Sequence, residues 1–293
     1  MRKSGQILAT ILNPTMRTVA FLYGGIKMQF DLLQKLRTNK PMVLNIANSV
    51  TQGDVANGLS AIGASPLMTN YDDELKTLAQ FADGVCINIG TLDDHQNMLS
   101  KDLLNLATDF NKPVVLDPVG IGAVPERLNF VEELIKIDHP TVIRGNAGEI
   151  ASLVGVSWQS KGIDSLDTTE QSEDIDKIAQ SCANKFTCVT VVTGPTDTIA
   201  TSTELAHVQN GNPMFTVRVG TGDMLSSIIA AFAGVSDDPF EAAKMASLTF
   251  SLAGEMVMSD HPEVGPAEFS TRLIDNLYSL SSDQLEEWGK FDE

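Results

Sequence analysis

The chain has 293 residues, 43% of them hydrophobic and 20% charged, the composition of a globular protein large enough for one big domain or two small ones. Its 38 acidic against 20 basic residues give a formal net charge of −18, a field that repels nucleic acid and anionic membrane and argues against both as partners. No run reaches the ~18–20 apolar residues that span a bilayer; phosphate sites, built locally from backbone N–H groups and one or two basic residues, stay open.

Residues 1–27 begin with Arg2 and Lys3 ahead of an apolar patch, but Asn13 and Pro14 break that patch and Arg17 follows at once. A secretory signal is therefore not expected, and the stretch reads as a disordered extension or a start assigned too early. Met28 then opens an amphipathic segment, MQFDLLQKLRTNKP. From there short β-branched runs alternate with longer amphipathic ones, the signature of βαβ units and a mostly parallel sheet. Strands are predicted at 42–47, 84–90, 113–118, 141–146 and 188–194. Helices are predicted at 72–82, 95–111, 126–138, 147–154 and 172–186. Several strands are apolar on both faces, as expected where helices cover both sides of a sheet. After residue 195, TDTIATSTELAHVQN and PMFTVRV read as hairpin strands at one edge, followed by helical segments at 222–234, 239–258 and 267–279.

The polar stretch 159–174 reads as a solvated loop or helix cap, too short for a domain linker, so residues 28–293 are expected to form a single domain. Cys86, Cys182 and Cys188 have no CxxC spacing and lie in apolar or helical stretches. They read as reduced structural thiols in a cytoplasmic protein.

In open α/β sheets, ligands bind at the C-terminal ends of the strands. Here VVLDP ends in Asp117, VIRGN brings Arg144 and Asn146, and TVVTG ends in Thr193. RVGTGD then delivers Gly220, Thr221, Gly222 and Asp223 into a helix start. Glycines permit a tight turn, and the first N–H groups of a helix form an anion site at the positive end of its dipole. Gly220, Thr221 and Gly222 are thus candidates for an anion hole, and Asp223 for a general base. Asp223 read alone is equally an N-cap. Asp117 could be a turn residue bonded to its own loop. Asn146 and Glu149 have capping-box spacing, yet Asp117 and Glu149 together offer two carboxylates to magnesium, which takes a few protein oxygens plus water and phosphate. Arg144 could clamp a phosphate or form a surface salt bridge.

The segments ANGLSAIGASPLM (56–68), INIGTL (87–92), VVLDPVGIGA (114–123), IRGNAGEI (143–150), VVTGPTD (191–197) and VGTGDMLSSIIAAF (219–232) resemble, in order and spacing, the hydroxyethylthiazole kinases of thiamine salvage. The resemblance covers residues ~40–280 and rests on the combination, no single piece sufficing. It implies a ribokinase-like three-layer α/β/α fold with a mostly parallel central sheet. It also implies transfer of the ATP γ-phosphoryl group to the alcohol of 4-methyl-5-(2-hydroxyethyl)thiazole with Mg2+, and a homotrimer with active sites between subunits. By position, Asn48, Met68 and Gly220 would line the thiazole pocket, Arg144 and Thr193 would bind ATP, and Asp117 and Glu149 would handle the metal. Met68 is also plausible as plain core filler. Family members usually carry cysteine where this chain has Asp223, while wider ribokinase-like kinases carry aspartate there as base. Val219 stands where a threonine is usual, and Leu44, Ala47 and Asp54 depart from the usual pattern. A different hydroxyalkyl heterocycle as acceptor, or the lyase that repairs hydrated nicotinamide cofactors, are the alternatives.

Overall fold

The computed structural model describes residues 29–156 and 168–292; the expected extension at 1–27 and the first part of the polar stretch lie outside them. In chain order the elements are α1 (Asp31–Asn39), β1 (Met42–Ile46), α2 (Gln52–Ile62), β2 (Ser65–Met68), α3 (Asp72–Phe81), β3 (Gly84–Asn88), α4 (Asp94–Asp109), β4 (Val114–Asp117), α5 (Pro125–Ile137), β5 (Val142–Asn146) and α6 (Ala147–Val154). After the break come α7 (Thr168–Phe186), β6 (Val189–Thr193), β7 (Asp197–Ala200), β8 (Leu205–Val208), α8 (Met214–Val217), α9 (Thr221–Ala233), α10 (Pro239–Asp260), α11 (Pro266–Ser279), α12 (Ser282–Trp288) and β9 (Phe291–Asp292).

The strands form one sheet in the order β2-β1-β3-β4-β5-β6-β7-β8-β9. The first six are mutually parallel and the last three antiparallel. Side chains alternate between faces with period two, and here both faces are apolar. Val43, Cys86, Val115, Val142 and Val191 point into one core with α1, α2, α9, α10 and α11. Their neighbours Leu44, Ile87, Leu116, Ile143 and Val192 point into the other, with α3 to α7. The result is the expected three-layer α/β/α arrangement with a mostly parallel sheet.

The same alternation sets the register of the strand ends. Two residues beyond Val43, Cys86, Val115, Val142 and Val191 stand Asn45, Asn88, Asp117, Arg144 and Thr193. All five therefore lie on the face that α9 covers. Gly84 brings α9 close to the sheet, because a Cβ there would collide with the Ala230 carbonyl.

Two expectations change. PMFTVRV is not a strand: Met214–Val217 is a helical turn, started by Pro213 and closed by the Asn212 side chain, which accepts from the Met214 N–H at 2.9 Å, and by the Thr216 hydroxyl on the Pro213 carbonyl at 2.8 Å. The hairpin before it is real, formed by β7 and β8. From Thr168 onward the polar stretch is already helix. All three cysteines are free and buried.

Candidate active site

Helix α9 begins at Gly220, whose φ of +96° is the left-handed conformation that glycine adopts without strain. Space demands glycine too: a Cβ at this position would lie 2.7 Å from Thr51 Cγ2. The N–H groups of Thr221, Gly222 and Asp223 have no intrahelical acceptor and stand at the positive end of a 13-residue helix. The Thr221 hydroxyl is turned away from them, donating to the carbonyls of Phe215 at 2.9 Å and Arg218 at 3.2 Å.

Asp223 lies three residues past Gly220 and makes no side-chain cap bond, so the capping alternative falls. The residue is 6% exposed. Its Oδ2 accepts from the Thr51 hydroxyl, and its Oδ1 is buried with no hydrogen-bond partner. Burial pushes its carboxyl up to about 7, with the nearby Asp117 charge adding to the shift and the Thr51 bond and Arg144 opposing it. A carboxyl with one oxygen held and one bare, titrating near neutrality, has the character of a general base.

The helical period places Ser226 and Ser227 on the same face as Gly222 and Asp223. Ser226 donates to Asp117 Oδ2 at 2.9 Å, and Ser227 to Asn45 Oδ1 at 2.9 Å. Asn88 also donates to Asp117 Oδ2, at 2.9 Å. Asp117 is therefore no turn residue bonded to its own loop. It is buried and tied to β3 and α9, with its Oδ1 bare. Burial raises its carboxyl above the ordinary range, Glu149 adding to the rise while Arg144, Ser226 and Asn88 counter it.

Arg144 bridges the two halves of this surface. Its Nη2 donates to Thr193 Oγ1 at 2.8 Å and its Nη1 lies 3.6 Å from Asp117 Oδ2. The side chain is 14% exposed, so this is no surface ion pair. Gly222 leaves room for the guanidinium, since a Cβ there would collide with it.

Glu149 and Asn146 do form a capping box: the Asn146 N–H donates to Glu149 Oε2 at 2.8 Å, and the Glu149 N–H to Asn146 Oδ1 at 3.0 Å. Glu149 Oε1 also takes the Gly120 N–H at 2.8 Å, tying the loop after β4 to α6. Among the described residues no three His, Cys, Asp or Glu side chains cluster as a closed metal site. The bare Oδ1 of Asp117 and the remaining lone pairs of Glu149 nonetheless fit magnesium, which takes few protein ligands.

Asn48 sits in the loop after β1, its Oδ1 accepting the Val50 N–H at 3.0 Å, with Gly90 tight against its amide. Met68 ends β2 opposite Asn45 and packs partly buried against the α9-side core.

The family model for hydroxyethylthiazole kinases matches residues 33–283. The chain belongs to the hydroxyethylthiazole kinase family. It is 46% identical over 259 residues to a hydroxyethylthiazole kinase of Levilactobacillus brevis, covering 88% of this chain and 98% of that one. A hydroxyethylthiazole kinase of Lactiplantibacillus plantarum is likewise 46% identical over 266 residues, covering 90% and 100%. Among solved structures, a hydroxyethylthiazole kinase from Pyrococcus horikoshii superposes with a TM-score of 0.81 at 31% identity, covering 90% of this chain and 97% of that one.

In this member of the hydroxyethylthiazole kinase family, Gly220, Gly222, Asp223, Asp117, Arg144 and Thr193 are brought together around the α9 N-terminus. Sequence reasoning missed Thr51, Asn45, Asn88, Ser226 and Ser227. The signal for the two serines was a polar pair inside the apolar run MLSSIIAAF; for the two asparagines it was a polar residue at the last inward position of an apolar strand.

Proposed function

We propose that this site phosphorylates the primary alcohol of 4-methyl-5-(2-hydroxyethyl)thiazole at the expense of ATP. The observation that carries the proposal is the bare Oδ1 of Asp223, buried at the positive end of α9 on the same sheet face as Arg144 and Asp117. The names of the relatives supply the acceptor class.

As the substrate oxygen attacks the γ-phosphorus, its O–H proton passes to Asp223 Oδ1. The bond between the γ-phosphorus and the bridging oxygen breaks, and that electron pair leaves on ADP. The N–H groups of Gly220 to Asp223 face the γ-phosphoryl oxygens, where charge spreads in a loose transition state. Arg144, steered by Thr193, neutralises part of that charge. Asn48, Met68 and Gly220 form the acceptor side. Asp117 and Glu149 would hold a magnesium ion, which when bound neutralises phosphate charge. The protein is further read as a cytoplasmic homotrimer with active sites between subunits. Exposed Val50, Val217 and Val219 flank Thr51 and Gly220 and offer apolar surface for a neighbouring copy to cover.

The experiment is a panel of hydroxyalkyl heterocycles assayed for ATP-dependent ADP release. Hydroxyethylthiazole should give the highest kcat/KM and a phosphorylated product. Release of ADP with another alcohol but not with this one would reassign the acceptor; no turnover with any would remove the kinase reading.

A further inference from the structure

Asp223 is held by a residue 172 positions away in the chain. Thr51 stands immediately ahead of α2 and is 2% exposed. Its hydroxyl donates to Asp223 Oδ2, and its γ-methyl lies against Gly220, where a Cβ would come within 2.7 Å. The same hydroxyl is 3.3 Å from the Asn48 carbonyl, a second acceptor. One side chain thus touches the aspartate, the glycine that starts the helix and the loop after β1.

The last torsion of an aspartate is broad, so an unheld carboxyl rotates. Fixing one oxygen fixes where the other points. We propose that Thr51 is the positioning residue of the site: by holding Oδ2 it presents Oδ1 to the substrate hydroxyl. This rests on the reading of Asp223 as proton acceptor. A donor to an ionised carboxylate makes a charge-assisted bond, stronger than one to the neutral acid. Thr51 therefore also supports the ionised form that can take a proton. The other groups acting on Asp223 are Asp117 from β4, which opposes ionisation, and Arg144 from β5 and the Asn48 backbone N–H from the loop after β1, which favour it, with the Cys86 thiol on β3 also within its field. Once the proton sits on Oδ1, the Thr51 hydroxyl retains the Asn48 carbonyl as an acceptor, so it stays in place through the cycle.

Thr51→Val removes the hydroxyl and keeps the γ-methyl; Thr51→Ser keeps the hydroxyl. The pH dependence of kcat should show the acidic limb of the valine variant displaced upward by about one pH unit, a size set by the strength of a hydrogen bond to a charged group. Turnover at pH 7 should fall on the order of tenfold, with the KM for ATP within about twofold of wild type. The serine variant should restore the limb. An unmoved limb in the valine variant, or a serine variant no better than valine, overturns the proposal. Should the valine variant not fold, Thr51→Ala removes the same donor and is read in the same way. A second readout needs no substrate: the carboxyl stretch of Asp223, isolated as wild type minus Asp223→Asn in infrared difference spectra, should titrate higher in Thr51→Val than in wild type. An unshifted titration overturns the positioning role even if the wild type phosphorylates no thiazole. Absent wild-type turnover beside a shifted titration removes only the functional reading.

Discussion

Asp223→Asn removes a charge that the fold buries at a cost. The carboxyl's ordinary value is 3.8 and burial pushes it up to about 7. Between these values the native state holds a proton that the unfolded chain has released, so wild-type stability falls as pH rises through that window. The full span of about three pH units corresponds to about 4 kcal/mol at ~1.4 kcal/mol per unit. Over the practical range from pH 5 to 8 the expected loss is about 2–3 kcal/mol. Asparagine keeps the shape and does not titrate. Asp117 is raised as well and is present in both proteins, so its burial cancels and the difference between them reports Asp223 together with its coupling to Asp117. The assay is urea denaturation of both proteins at several pH values, with equal m-values as the check on two-state behaviour. The stability of Asp223→Asn relative to wild type should climb by about 2–3 kcal/mol from pH 5 to 8 and then level off. A difference that stays flat, or falls with pH, would refute the claim that the aspartate is buried at an energetic cost.

Gly222→Ala should separate function from stability. The added methyl displaces the Arg144 guanidinium, a movable group, while alanine favours the helix, so the melting temperature should hold. Turnover should fall on the order of 10- to 100-fold because the phosphate clamp is misplaced, as steady-state kinetics in ATP would register. Ser226→Ala removes a 2.9 Å bond to the buried Asp117 carboxylate and should destabilise the protein by about 1–3 kcal/mol in chemical denaturation.

The strand ends that carry Asp117, Arg144 and Thr193 were legible because a parallel strand advertises itself as an apolar run. Period-two alternation then fixes the face of its last polar residue. The helix start at Gly220–Asp223 was legible from its glycines. What stayed hidden was whatever depended on distant partners. Thr51 looks like any loop threonine until it meets Asp223, and Ser227 reaches Asn45 across 182 residues. Strand β2 went unseen because it has four residues, one of them Pro66, none fully buried, so no apolar run marks it. Segment 213–219 was misread because the β-branched content of PMFTVRV outweighed a local signal: proline followed by a threonine placed to bond back to it. Helix α12 was written in its capping box, Ser281 and Gln284, which lay beyond the last element assigned from sequence.

The most direct test of the account is the rate of ATP-dependent phosphorylation of hydroxyethylthiazole by Asp223→Ala, measured under single turnover beside wild type and Asp223→Cys. The account predicts a loss on the order of 10²-fold or more for alanine, an intermediate rate for cysteine and ATP binding close to wild type. An alanine variant that turns over as fast as wild type would contradict it.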